Sequence, residues 1–101
     1  MRDEVSIKDL HTDSTNVDTV LTRRDALIYG VVLTATSGGV ADVTIRAGID
    51  SSGKAVMKVK AAADSTQYVS LYAPIQCRNG IFIDVGSNVD LVTVVWTYDV
   101  V

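Results

Sequence analysis

The chain has 101 residues, 48% of them hydrophobic and 21% charged. It is long enough for one domain with one core and too apolar for wholesale disorder. Nine basic against twelve acidic side chains give a net charge of −3, which disfavours non-specific binding to nucleic acid or anionic lipid. The lone Cys77 has no disulfide or paired-cysteine metal partner in the chain, the pattern of a protein made in a reducing compartment. The start at Met1-Arg2-Asp3-Glu4 lacks the apolar run of a leader, and no apolar run approaches membrane-spanning length. A soluble product made in the cytoplasm is expected.

Residues 1–25 are polar, with Asp3, Glu4, Asp9, Asp13, Asp18 and Asp25 set among Ser and Thr. They read as an N-terminal extended arm, and residues 26–101 read as the body. Within the arm Val5, Ile7 and Leu10 suggest one short strand, and Val17 with Val20-Leu21 a second. These apolar residues need cover, from the chain's own core or from a neighbouring subunit. Val5, Ile7 and Leu10 are therefore candidate partner contacts.

From Ala26 the apolar pattern tightens. Residues 27–33 (Leu-Ile-Tyr-Gly-Val-Val-Leu) are apolar on both faces, as in a strand covered on both sides, and Ser37-Gly38-Gly39 ends the run. Val43, Ile45, Ala47 and Ile49 alternate with Asp42, Thr44, Arg46 and Gly48, so one face is core and the other wet. Asp50-Ser51-Ser52-Gly53 has the short side chains and glycine of a turn. Next, Met57, Val59 and Ala61 alternate with Lys58 and Lys60, a charged face that guards an edge.

Asp64-Ser65 breaks the chain before Gln67, Val69, Leu71 and Ala73 alternate with Tyr68, Ser70 and Tyr72. Pro74 lacks an amide donor, which predicts a strand end, an edge or a crossover there. Asn79-Gly80 is the strongest hairpin signal, because both residues tolerate positive φ, and it predicts a hairpin between Ile75–Cys77 and Ile81–Val85. The last strand runs from Leu91 to Tyr98, with Val92, Val94, Trp96 and Tyr98 on one face. Short strands at regular spacing, with no helical period, predict an all-β fold: a single antiparallel β-sandwich, jelly-roll-like.

The search for chemistry yields little. His11 is the only histidine, so a nucleophile–base–acid set has one available base, and it lies in the polar arm. Asp9, His11 and Asp13 would share a face of an extended strand in a geometry usable for a divalent cation, but a solvated arm is the better reading. No catalytic, cofactor-binding or metal residues are assigned, and no cofactor is expected. Arg23-Arg24 is compensated by Asp18 and Asp25. Cys77 reads as a buried, inert thiol. Trp96 and Tyr98 read as core residues that could also anchor a partner, since such side chains are enriched at binding hot spots.

Four segments carry a resemblance: 27–34 (Leu-Ile-Tyr-Gly-Val-Val-Leu-Thr), 41–48 (Ala-Asp-Val-Thr-Ile-Arg-Ala-Gly), 52–59 (Ser-Gly-Lys-Ala-Val-Met-Lys-Val) and 79–85 (Asn-Gly-Ile-Phe-Ile-Asp-Val). Together they resemble small β-sandwich virion proteins of tailed bacteriophages, of the head decoration or cement kind. The resemblance spans 26–98 and rests on strand-and-turn patterns. It implies a non-enzymatic structural protein located in the virion, often a homotrimer, that stabilises the head by binding the shell of the major capsid protein. A neck, tail or fibre component is a variant of that reading. A small carbohydrate- or partner-binding module is the alternative, weakened by how few aromatics lie outside core-like positions.

Overall fold

A computed structural model describes residues 10–99. Eight strands follow in chain order: β1 (His11–Thr15), β2 (Thr19–Thr22), β3 (Ala26–Ala35), β4 (Ala41–Ala47), β5 (Lys54–Ala61), β6 (Thr66–Cys77), β7 (Ile81–Val85) and β8 (Val89–Tyr98). One sheet, which we call sheet A, has the order β1-β8-β3-β6, and sheet B has the order β2-β7-β4-β5. Every pairing is antiparallel. The fold is the expected β-sandwich, with the two-sheet wrapping of an eight-stranded jelly roll.

Period-2 alternation builds the core. Ala26, Ile28, Val31, Leu33 and Ala35 of β3 and Val92, Val94 and Trp96 of β8 face Ala41, Val43 and Ile45 of β4, Val59 and Ala61 of β5, and Ile81 and Ile83 of β7. The β3 series slips from Ile28 to Val31 because β3 carries a bulge at Tyr29-Gly30, where the register shifts against both β8 and β6. An extra residue there keeps both flanking stretches pointing inward.

Three expectations change. The segment expected to be an arm supplies β1 and β2, the edge strands of sheets A and B on one flank, so the body includes His11 to Thr22 and no boundary falls at residue 25. The cause is backbone pairing: His11–Thr15 has no apolar residue, yet it forms an unbroken ladder from His11↔Trp96 to Thr15↔Val92. Next, Asn79-Gly80 is a tight turn but not a hairpin, because β6 and β7 lie in different sheets. Among the described residues only β4 and β5 are consecutive strands that pair. Finally, β3 is not covered on both sides, since nothing among the described residues lies over the outward face of sheet A.

The links are tied by short polar side chains. Asp18 Oδ1 accepts from the Val85 amide at 2.8 Å, Asp25 Oδ1 from the Asn79 amide at 2.8 Å, and Asp42 Oδ1 from the Ser87 amide at 2.9 Å. The first serves the last residue of β7 on the side where the β2 ladder has already ended, and the other two satisfy amides in links. Asn79 and Gly80 have φ of 68° and 124°, and a Cβ on Gly80 would collide with the Thr22 carbonyl oxygen and lie 2.9 Å from that of Gly48. This turn is packed beneath two neighbouring links, which is why only glycine fits.

Candidate interaction face

The residues singled out in the sequence fall into three places. Val5, Ile7 and Asp9 lie outside the described residues. Leu10 is half-buried just ahead of β1. His11, Asp13, Trp96 and Tyr98 meet at the β1 edge of the sandwich, all on its inward side.

Trp96 is only 3% exposed, and its indole Nε1 donates to Asp13 Oδ2 at 2.8 Å. The His11 ring stacks on it with centroids 4.5 Å apart and planes 20° apart, and Tyr98 meets it edge-on at 5.1 Å. The Arg24 guanidinium lies 4.1 Å from the centre of the Tyr98 ring, in cation–π geometry. These contacts fill the mouth of the sandwich beside β1, so the cluster holds β1 in place and leaves Trp96 no surface for a partner. Among the described residues no three His, Cys, Asp or Glu side chains group as a metal site.

Two other sequence features resolve as local structure. Cys77 is buried among core residues, and desolvation pushes its thiol up to about 11, which suppresses the reactive thiolate. Asp50 accepts from both the backbone amide and the hydroxyl of Ser52. Those bonds, the hydroxyl's first, hold its carboxyl below the usual carboxylate range, and they make 50–53 a closed turn.

The feature that the sequence did not single out is the outward face of sheet A. Strand alternation places Thr12 and Ser14 of β1 there, with Leu91, Thr93, Val95 and Thr97 of β8, Leu27, Tyr29, Val32 and Thr34 of β3, and Thr66, Tyr68, Ser70 and Tyr72 of β6. None of these side chains is charged; at one end of the face Gln76 of β6 donates to the Asp99 carboxylate, just past β8, at 2.6 Å. Hydroxyls pair across it, Ser14 with Thr93 at 2.7 Å and Thr34 with Thr66 at 3.0 Å, so the polar groups at those positions have partners within the face. Between them lie Leu27, Tyr29, Val32 and Val95, each half-buried.

Strand β6 closes this face at the free edge. Its ladder with β3 runs from Thr34↔Thr66 to Gly30↔Ser70 and resumes at Ile28↔Ile75. Leu71, Tyr72, Ala73 and Pro74 therefore bulge opposite Tyr29 alone. Pro74 sits in this bulge, where its missing amide breaks no ladder bond. The bulge lifts Tyr72 clear of the sheet at 107% relative exposure, and Tyr68 is 62% exposed.

Depletion of charge with enrichment of tyrosine is the composition of a protein–protein interface centre. The signal was present in the sequence as the two-sided apolar run of β3. In an antiparallel two-layer fold the second apolar side has no layer of its own to meet. Comparison with family models, with curated proteins and with solved structures returns no match.

Proposed function

We propose that this chain is a non-enzymatic structural protein of a phage virion that binds the assembled head shell through the outward face of sheet A. The observation that carries the reading is that face: four strands wide, uncharged, apolar along its central β3 and bordered by Tyr68 and Tyr72. The sequence resemblance supplies the shell of the major capsid protein as the partner. A jelly roll is a frequent architecture for capsid and lectin domains alike, so the fold is compatible with the reading and does not select it.

Binding to an assembled shell sums modest contacts when several faces or several subunits engage at once. Affinity should then rise steeply with assembly, and isolated coat subunits should bind weakly. Purified protein is mixed with head shells stripped of accessory proteins and sedimented. Saturable co-sedimentation supports the proposal. Its absence, together with retention on a glycan array, would favour a carbohydrate-binding module in which Tyr68 and Tyr72 stack on sugar rings. Binding to necks, tails or fibres alone would move the protein elsewhere in the virion.

A further inference from the structure

We propose that two copies of this chain join through β6, pairing antiparallel about a two-fold axis at Tyr68 so that sheet A continues across the dimer. The inference rests on the edge of β6, which no strand among the described residues pairs, and is independent of shell binding. The four edge strands differ in how they are protected. Strand β5 carries Lys54, Lys58 and Lys60, β1 carries Asp13, and β2 is only four residues long. Strand β6 is twelve residues long without a single charge. Charge, shortness, proline and bulges are how edges avoid pairing with other chains; β6 is long and uncharged, and its Pro74 and bulge guard only 71–74, leaving Thr66–Ser70 open.

The register follows from the ladder. The Ala35 amide donates to the Ser65 carbonyl at 2.9 Å, so the residue pairs bonded to β3 continue in steps of two as Leu33 with Gln67 and Val31 with Val69. Thr66, Tyr68 and Ser70 consequently turn their N–H and C=O groups to the open edge. An antiparallel copy centred on Tyr68 sets that residue opposite its own mate, and sets Thr66 opposite Ser70 of the second copy on either side. Aromatic–aromatic and hydroxyl–hydroxyl pairs are favourable cross-strand neighbours. The link at 62–65 and the bulge at 71–74 bound this window, so no longer register is available.

A two-fold axis opposes each strand with itself, and a strand is a suitable occupant only if it does not repel its own copy. Strand β6 meets that condition at every position, whereas β5 would set lysines near lysines. The second copy is therefore the occupant that the charge pattern fits. The window is short, which places the dimer among small, weak interfaces with a dissociation constant on the order of micromolar or looser.

Sedimentation equilibrium up to about 1 mM tests this, read together with a charge swap at an exposed position. The wild type should associate to a dimer, and hydrogen exchange at Thr66, Tyr68 and Ser70 should slow as concentration rises. Tyr68→Lys and Tyr68→Glu should each weaken association at least tenfold while keeping the wild-type melting profile, and their equimolar mixture should recover it. A monomer throughout the range, a trimer, a dimer protected at other amides, or a mixture no more associated than either variant alone would overturn the proposal. Because shell binding is absent from the assay, failure here leaves the functional reading standing, and failed co-sedimentation leaves the dimer standing.

Discussion

The two outward faces of the sandwich are made by the same period-2 alternation and end up chemically opposite. Sheet B presents Asp42, Thr44 and Arg46 of β4, Lys58 and Lys60 of β5, and Asp84 of β7, with Arg46 Nε 2.9 Å from Asp84 Oδ2. Sheet A presents hydroxyls, aliphatic side chains and tyrosines. Charge on sheet B keeps that face hydrated and hostile to apolar partners, since desolvating several ions costs more than the contacts return. The middle of sheet A, between Asp90 and Asp99 at the two ends of β8, can be dehydrated without removing a charge from water. The difference suits sheet B to solvent and sheet A to the association proposed above.

The largest expected effect lies on β8, where neighbouring residues serve opposite sides. Trp96→Ala removes a buried ring together with its stack on His11 and its bond to Asp13, and should cost about 3–5 kcal/mol, the range of large-to-small core changes. Val95→Ala, one position along and outward, should cost well under half as much. Urea denaturation of both variants measures the contrast. Similar losses would mean that the outward face is as much a part of the fold as the core is, and the division between layers would fall.

A change in the outward faces themselves should have a smaller but more selective effect. Val95→Lys puts a charge at the centre of the sheet A face, and Thr44→Lys puts one on the already charged face of sheet B. The first should lower shell co-sedimentation at least tenfold, equivalent to about 1.4 kcal/mol, and the second should leave it unchanged. Equal losses would show that charge, rather than position, governs binding; loss only with Thr44→Lys would reverse the roles of the faces.

The sequence displayed one of these layers more openly than the other. Strands β4 and β5 announce themselves by strict alternation with charges, because a wet face and a core face differ sharply in residue type. Strand β1 has no such contrast: His11–Thr15 is polar on both faces, held by main-chain bonds and by the Trp96 indole, neither of which leaves a periodic trace. The crossing of Asn79-Gly80 between sheets was hidden for another reason. Positive φ at both residues specifies a tight turn, but whether the next strand pairs with the last or crosses to the facing layer depends on distant strands. The uncharged outward face of sheet A was concealed by its own chemistry, since apolar residues on β3 look the same whether a second layer or a separate molecule covers them. Alternation on β6 separates Tyr68, Ser70 and Tyr72 from Gln67, Val69, Leu71 and Ala73 without showing which set is wet, and the bulge that lifts Tyr72 clear depends on pairing with Tyr29.

Tyr72→Ser should have the smallest effect on stability and gives the sharpest separation of folding from binding. At full exposure on the β6 bulge the ring buries no area in the monomer, so its loss should fall within the roughly ±0.5 kcal/mol of ordinary surface substitutions. A partner covering the face would bury that ring, and tyrosines so placed are among the side chains on which binding energy concentrates. Thermal melting should therefore coincide with the wild type while co-sedimentation with stripped shells weakens several-fold. A variant that binds as tightly as the wild type would confine the contact to the flat part of the sheet, over Val32 and Val95. One that melts early would show that the bulge is a structural brace for β6, and the edge would need to be reassigned to the fold.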